Sequence, residues 1–381
     1  MHTKKQLVLL QVLPRLDSGG VERGTLEVAK AAVEEGFTSL VASSGGAMVT
    51  QLEAEGSRHI TLPLKGRNPL TIFRNASRLT EVIRREGVDI VHARSRAPGW
   101  SALMAARCAG VPFLTTFHGY YSLRYRYGPK YWYNSVMVRG ERVIAISEFI
   151  AAHLKEAYHV PEERIRLIPR GADTVLFNPE RVREAEMVAL RQQWGLAEPW
   201  PVIFVPGRIV RRKGQALVLE ALKHMADQDW HCVMAGNAKG HEAYAAELLQ
   251  KAESYGLKDR VRIVPPCSAM SAAYALAAVT INASTLPEAF GRIPVEAQAM
   301  GCPVVATALG GALETVQDGK TGWLVDAKRP EAMAEALKTA LTMDASARAA
   351  MAHAARTHVE KYFSMHQMCG KTLELYYELL A

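Results

Sequence analysis

Long apolar runs are missing from this 381-residue sequence. No uninterrupted apolar segment approaches the roughly 18 residues of a membrane-spanning helix, which argues against an integral helical membrane protein. The N-terminal apolar run is brief, and Pro14, Arg15 and Asp17 follow it at once. We therefore expect a first β-strand there and no signal peptide.

The sequence also lacks the common metal and disulfide patterns. Its five cysteines are scattered and never spaced Cys-x-x-Cys, and its twelve histidines never form His-Glu-x-x-His. Because these patterns are absent, we expect neither a disulfide framework nor a metal site, and a reduced cytoplasmic setting is favoured. Asp227-Gln-Asp229 has the Asp-x-Asp spacing of metal-dependent nucleotide-sugar enzymes, but it lies between a predicted helix and strand, so we interpret it as a turn.

Strand-like apolar runs alternate with helical patterns along the whole chain. The first unit comprises the strand 7–13, the turn at Gly19 and Gly20, and a helix over 21–35. A Gly-Gly turn of this kind can approach a phosphate, although a plain tight turn explains it as well. A chain of this length predicts two domains, and the alternation predicts parallel sheets, hence an α/β fold. A Pro-rich break at 199–201 precedes a second alternating series that begins at Val202.

Positive charge is concentrated in the first half. Residues 1–176 hold 24 Lys and Arg against 16 Asp and Glu, while the remainder holds 22 of each. This surplus indicates an anionic partner, which could be a membrane surface, an acidic acceptor or nucleic acid. A general solubility charge is the alternative.

Aromatic and basic residues interleave between 118 and 133. The mixture suits a bilayer interface, a sugar-binding platform or single-stranded nucleic acid, and a partly buried aromatic helix explains it too. The residues that we single out here for acceptor or membrane contact are Tyr120, Tyr121, Arg124, Arg126 and Lys130, together with Arg94 and Arg96 upstream.

Two carboxylates eight positions apart mark the stretch 284–301. Glu288 lies in a predicted loop after a short strand, Pro294 fits a first helical position, and Glu296 then falls in the first turn. A helix N-terminus between two carboxylates suits a polyol that carries an anion, such as a nucleotide sugar. A solvated loop acid and an ordinary first-turn helix charge are the alternative.

The basic loop Gly207-Arg208-Ile-Val-Arg-Arg-Lys213-Gly214 and the Glu288-x7-Glu296 pair together resemble the glycosyltransferases of family 4. The resemblance is supported by Ser18-Gly-Gly-Val-Glu-Arg23, Thr116-Phe-His118-Gly, Ile168-Pro-Arg-Gly-Ala-Asp173 and Gly310-Gly-Ala-Leu-Glu314. It implies a retaining, metal-independent enzyme of the GT-B fold, without a cofactor. The segments 92–98 and 169–173 resemble bacterial lipopolysaccharide-core sugar transferases.

The resemblance implies roles for individual residues. Arg208 and Lys213 would contact the donor diphosphate, where fixed cations stabilise the charge of a departing phosphate. Glu288 would hold donor-sugar hydroxyls, Glu296 the ribose, and His118 would lie beside the reacting centre. Backbone contributions would come from Gly19, Gly20, Gly207, Phe290 and Gly291. From the residues alone, a solvated basic turn and a structural histidine are the alternatives.

The implied organisation is an acceptor-binding domain over 1–175, a nucleotide-sugar-binding domain over 176–360, and a C-terminal helix over 361–381 that returns to the first domain. We expect transfer of a hexosyl unit to a lipid-linked or glycan acceptor at the inner face of the cytoplasmic membrane. Ala289, Arg170 and Arg292 depart from many relatives and leave the donor open. A GT-B epimerase or phosphorylase is one rival, and a nucleic-acid-binding protein is the other.

Overall fold

The computed structural model describes residues 6–17, 19–121 and 128–381. The chain divides into two compact units: residues up to 170 together with 366–381, and residues 171–365. The sequence placed these divisions at 175/176 and 360/361. Each unit contains one parallel sheet with helices, which confirms the predicted α/β class with two Rossmann-like domains.

The first unit has a seven-stranded sheet in the order β3-β2-β1-β4-β5-β6-β7. The strands are β1 Val8–Val12, β2 Thr38–Ser43, β3 Arg58–Thr61, β4 Ile90–Ala93, β5 Phe113–Phe117, β6 Arg142–Ala145 and β7 Ile165–Leu167. The helices are α1 Gly20–Glu34, α2 Val49–Ala54, α3 Pro69–Glu86, α4 Arg96–Ala109, α5 Pro129–Asn134 and α6 Glu148–Tyr158, with the C-terminal helix Met365–Leu380.

Helix α3 shows how local chemistry sets the element boundaries. The Asn68 side chain accepts a hydrogen bond from the Thr71 backbone N–H, and Pro69 occupies the first turn, where no intrahelical donor is needed. Gly87 ends the helix in the left-handed conformation. The helix therefore begins two residues before the predicted start at Thr71.

Within the described residues, no helix is both long enough and apolar enough to cross a bilayer.

The second unit has a six-stranded sheet in the order β10-β9-β8-β11-β12-β13. The strands are β8 Val202–Pro206, β9 His231–Ala235, β10 Val261–Val264, β11 Ala277–Asn282, β12 Val304–Thr307 and β13 Trp323–Val325. The helices are α7 Glu184–Gln193, α8 Gln215–Lys223, α9 Glu242–Ser254, α10 Met270–Leu276, α11 Arg292–Ala299, α12 Ala312–Thr315, α13 Pro330–Thr342 and α14 Ala345–Tyr362.

The strand order of the second unit reverses direction beside β8. The chain proceeds from β8 outward to β9 and β10, and then returns to place β11 on the other side of β8. In open parallel sheets, ligands bind in the crevice outside the carboxyl ends of the strands at such a reversal. The loops that follow β8 and β11 therefore define the candidate site of this unit.

Helix α11 begins earlier than the sequence predicted. Gly291 precedes it in the left-handed region with φ 91°, and Arg292 is its first residue. Pro294 is consequently the third helical residue, and Glu296 lies beyond the first turn, so both predicted positions were wrong. Proline is tolerated there because the first N–H groups of a helix have no intrahelical partner. The left-handed turn at Gly291 redirects the chain and sets the start.

A buried polar chain joins the C-terminal helix to the sheet of the first unit. The Tyr376 hydroxyl lies 2.7 Å from Nδ1 of His92, and Nε2 of His92 lies 2.7 Å from the Thr116 hydroxyl. All three side chains are buried. Burial and the nearby Arg94 charge hold the pKa of His92 well below its usual range, so its ring is neutral. Tyr376 thus satisfies a nitrogen that water does not reach.

We predict that Tyr376→Phe lowers the free energy of unfolding of the first unit by about 1–3 kcal/mol, the cost of an unsatisfied buried polar group. The matched control is Tyr377→Phe. The Tyr377 ring also packs near Phe37, but its hydroxyl donates a hydrogen bond to the exposed Glu35. We expect the control to change stability by less than about 0.5 kcal/mol. Urea unfolding measures both, and equal losses would contradict the assignment.

Candidate active site

The loops after β8, β11 and β12 approach one another at the level of the backbone. A Cβ on Gly214 would lie 1.8 Å from the carbonyl oxygen of Ala283, and one on Gly310 would lie 2.4 Å from that of Glu288. Both glycines have positive φ, 71° and 57°. A larger residue at either position would force the loops apart, so glycine is required for their close approach.

Lys213 and Glu288 form an ion pair at the centre of these loops. Each side chain is only 14% exposed. Nδ2 of Asn282 also lies 3.5 Å from the second carboxylate oxygen of Glu288. Burial acts to raise the pKa of Glu288, but Lys213 foremost, with Ser284 and Arg212, brings that pKa below its ordinary value. Glu288 is therefore ionised and held in one orientation at neutral pH.

Gly207 lies beside the Lys213 side chain of this pair. A Cβ on Gly207 would contact the Lys213 side chain at 3.6 Å and the Ile293 side chain at 3.5 Å. The stem of Lys213 therefore runs past a bare backbone position. Arg208 is the next residue along, its side chain is exposed, and its carbonyl accepts a hydrogen bond of 2.9 Å from Gln215. The structure thus brings Lys213 and Glu288 into contact, and Arg208 follows Gly207, which the lysine stem passes.

Glu296 has both carboxylate oxygens engaged. The Tyr274 hydroxyl donates to one at 3.1 Å, and Nε of Arg292 donates to the other at 3.2 Å. Tyr274 is buried, and burial together with the Glu296 charge raises its pKa well above the usual range, so the hydroxyl keeps its proton and donates. Glu296 is accordingly fixed by its neighbours at the start of α11.

The loop between the two glutamates packs inward. Phe290 is buried against the ring of Phe363, and its carbonyl faces Gly311 so closely that a Cβ there would lie 2.2 Å away. Gly291 lies next to Asn282 and Pro294. Sequence reasoning missed Asn282 and Tyr274. A polar residue ending a buried strand was a usable signal for Asn282, whereas the pattern of α10 contained none for Tyr274.

In the first unit, His118 lies at the carboxyl end of β5 and meets Arg170. Nη2 of Arg170 lies 3.1 Å from Nδ1 of His118. Burial, followed by the charges of Arg170 and Arg94, holds the pKa of His118 well below its usual range. Gly19 caps α1 with φ 145°, and Gly20 is its first residue, so both lie at the helix N-terminus that follows β1.

The residues predicted for acceptor or membrane contact divide into several groups. Arg94 is 5% exposed and bonds Gln11 at 2.9 Å, so the prediction that it could touch a membrane was wrong: a buried guanidinium cannot reach a surface. Arg96 lies 4.2 Å above the Tyr121 ring and bonds Asn134. Tyr120 and Lys130 are exposed. Arg124 and Arg126 lie outside the described residues.

The described part of the chain contains no cluster of three or more His, Cys, Asp or Glu side chains that could hold a metal ion. Asp227 and Asp229 are exposed and lie in the turn between α8 and β9, as the sequence predicted. In the second unit, Lys213 pairs with Glu288, and Glu296 pairs with Arg292. They can bind a ligand that combines an anion with hydroxyl groups.

Comparison with known proteins finds two family models that match the chain. Glycosyltransferase Family 4 matches residues 18–176, and Glycosyl transferases group 1 matches residues 187–358. A D-inositol 3-phosphate glycosyltransferase from Xylanimonas cellulosilytica is 29% identical over 94% of this chain and 92% of its own.

Solved structures are also similar. A glycosyltransferase from Rickettsia africae has 35% sequence identity and a TM-score of 0.92, and the match covers 99% of both chains. Anabaena HepE, crystallised with UDP-glucose, has 23% identity and a TM-score of 0.82 over 98% of this chain and all of its own. At that identity, the likeness to HepE shows the fold alone.

We predict that Lys213→Met destabilises the second unit by about 3–5 kcal/mol at pH 7, because it leaves a poorly exposed carboxylate unpaired. Adding Glu288→Gln should recover much of the loss. The matched control is Arg211→Met, which breaks the pair of Arg211 with Glu247, whose side chains are 71% and 48% exposed. Water screens that exposed pair, so breaking it should change stability little. Urea unfolding of the wild type, Lys213→Met, Glu288→Gln and the double variant gives the coupling energy, and Arg211→Met is measured in parallel.

The loss caused by Lys213→Met should shrink in acid. The pKa of Glu288 is lowered in the folded protein, so its stabilisation is present above the unfolded value and is lost as the pH falls through the folded one. Below the ordinary glutamate pKa of about 4.3, the wild type and the variant should converge in stability. A gap that stays constant from pH 7 to pH 3 would contradict the pairing.

Proposed function

This chain belongs to the GT-B glycosyltransferases, and from that membership we propose that it moves a hexosyl unit from a nucleotide diphosphate sugar to a glycan or glycolipid acceptor. We propose further that the anomeric configuration is retained and that no metal or cofactor takes part. The observation that carries the donor assignment is the Lys213–Glu288 pair beside Gly207, at the point where the strand order reverses.

The donor would be held by opposite charges in one crevice. Lys213 and Arg208 would bind the diphosphate, and the bare backbone at Gly207 leaves room for it. Glu288 would accept hydrogen bonds from sugar hydroxyls, and Glu296 would accept them from the ribose. Cations fixed before the reaction stabilise the charge that develops on a departing diphosphate, and they need not reorganise when it forms.

We propose a same-face displacement through an oxocarbenium-like ion pair. The bond between the anomeric carbon and the diphosphate oxygen breaks, and the electron pair stays with the diphosphate. The acceptor hydroxyl oxygen bonds to the anomeric carbon from the same face, and its proton passes to the departing phosphate oxygen. The lysine and arginine supply the charge stabilisation that a metal ion provides in other transferases.

For the acceptor, we propose an anionic glycan or glycolipid bound by the first unit. The surplus of basic residues in the first half supports this, as does a relative named for D-inositol 3-phosphate, which carries a phosphate. A lipopolysaccharide-core acceptor is one member of this class. Product analysis with and without acceptor distinguishes transfer from the rivals, because an epimerase needs no acceptor and a phosphorylase needs inorganic phosphate.

We predict that Arg208→Ala, Lys213→Ala and Glu288→Gln each reduce kcat by about 10²–10³-fold, the usual cost of removing one group that stabilises transition-state charge. The control is Arg211→Ala, an exposed cation in the same loop that pairs with Glu247 and not with Glu288. We expect the control to retain activity within about threefold. Circular dichroism checks that every variant is folded.

The donor for this assay is first identified by thermal shift with UDP-, GDP- and ADP-sugars, because a bound ligand raises the melting temperature with its affinity. Near-normal turnover of all three variants would remove the site assignment. A thermal shift with no nucleotide sugar would count against the donor class itself.

We also propose that α3 helps the protein dock on the anionic inner face of the cytoplasmic membrane. Leu70 and Phe73 are 71% and 62% exposed near the start of α3. Exposed arginines at 67, 74 and 78 lie near them in sequence, and arginines 84 and 85 are exposed in the last turn of α3. Apolar side chains flanked by arginines suit an interface with anionic lipid.

We predict that replacing Leu70 and Phe73 together by Ser reduces co-sedimentation with vesicles of anionic phospholipid severalfold, because both side chains lose apolar area that lipid would cover. The control replaces Val188 and Leu249 of the second unit, also exposed, by Ser and should change nothing. Equal binding of the wild type to neutral and anionic vesicles would contradict the proposal.

A further inference from the structure

Arg170 lies shortly after β7 and meets His118 in the first unit. Its side chain is buried in the first unit, 8% exposed, and lines the same small cavity as His118, Arg94 and Thr116. Burial of a guanidinium is costly unless hydrogen bonds satisfy it. The burial of this cation next to His118 therefore needs an explanation.

Helix α1 makes room for this guanidinium. A Cβ on Gly24, in the second turn of α1, would lie 3.3 Å from Nη2 of Arg170. A glycine within a helix is less stable than an alanine, so its presence there needs a reason. The glycine thus leaves space on the inner face of α1 for the arginine nitrogen that contacts His118.

The contact determines which nitrogen of His118 carries the proton. A guanidinium has only donors, so Nδ1 of His118, 3.1 Å from Nη2 of Arg170, must accept. A doubly protonated ring would place a donor against a donor. His118 is therefore neutral, with its proton on Nε2. Burial and the charges of Arg170, Arg94 and His92 favour the same neutral form.

The protonated Nε2 of His118 is a free hydrogen-bond donor within the described residues. Nε2 of His118 is buried and has no hydrogen-bond partner among the residues that the structure describes. A buried N–H without an acceptor is costly because it has lost its hydrogen bonds to water. A ligand oxygen placed there would recover that cost, so the ring is prepared to donate to a substrate.

We propose that Arg170 is a positioning residue that holds His118 as a neutral hydrogen-bond donor, through Nε2, toward a substrate oxygen. This inference rests on the proposed function, because it assumes that the substrate reaches His118. It also excludes His118 as the general base: Nε2 already carries a proton, and Nδ1 faces the guanidinium. The acceptor proton must then leave by another route, as in the transfer to the departing phosphate described above.

The first test needs no substrate. In protein with 15N-labelled histidine, long-range 1H–15N spectra report the tautomer, and His118→Asn assigns the signal. In the wild type, we expect the neutral ring with its proton on Nε2 throughout the range from pH 8 to pH 5. In Arg170→Leu, the titration midpoint should rise, since Nδ1 can then take a proton. Arg170→Lys, which keeps a cationic donor, should stay close to the wild type.

Arg142→Leu is the matched control, because Arg142 belongs to the same unit but pairs with Glu378. We expect its His118 titration to equal that of the wild type. An Nδ1–H tautomer in the wild type would overturn the proposal. A His118 titration that is the same in Arg170→Leu as in the wild type would overturn it as well.

The second test measures coupling during turnover. We expect Arg170→Leu to lower kcat by about tenfold, and His118→Ala by about 10²-fold, the lower end of the cost of removing one preorganised hydrogen-bond donor. The double variant should lose no more than His118→Ala alone, because Arg170 acts through the ring. Losses that multiply would overturn the proposal. If no nucleotide sugar supports transfer, the proposed function fails, and the tautomer measurement still decides the role of Arg170.

Discussion

The candidate site depends on one interaction, the ion pair between Lys213 and Glu288. The two residues are 75 positions apart, and each is only slightly exposed. At low exposure, water screens the charges weakly, so their attraction is strong and either charge left alone is costly. The pair therefore fixes the orientation of the carboxylate and keeps a cation beside it. A ligand with both an anion and hydroxyl groups meets a site whose charges are already arranged.

Glycines let the backbone bring that pair together. The loops after β8, β11 and β12 touch through main-chain atoms at Gly214 and Gly310, where no side chain would fit. Main-chain contacts hold the loops more closely than packed side chains could. Gly291 then turns the chain into α11 and determines where Glu296 lies. The chemistry of this unit consequently follows from three backbone positions that carry no functional group.

The two units treat buried cations differently. In the second unit, Lys213 meets a carboxylate and both charges persist. In the first unit, Arg94 and Arg170 donate to neutral acceptors, Gln11 and His118. A cation beside a neutral imidazole suppresses its protonation, whereas a cation beside a carboxylate suppresses protonation of the acid and keeps it charged. The same physical effect thus gives a neutral donor in one unit and a fixed anion in the other.

The α/β class, most strands and helices, and the presence of two charged loops can be predicted from the amino-acid sequence, because hydrophobic periodicity and turn glycines are local signals. The positions of Pro294 and Glu296 in α11 were predicted wrongly, since periodicity does not reveal the left-handed turn at Gly291. The contacts of Lys213 with Glu288, of Tyr274 with Glu296 and of Arg170 with His118 are known only from the folded structure. These contacts depend on strand order, which sets which loops become neighbours, and strand order is a property of the assembled sheet.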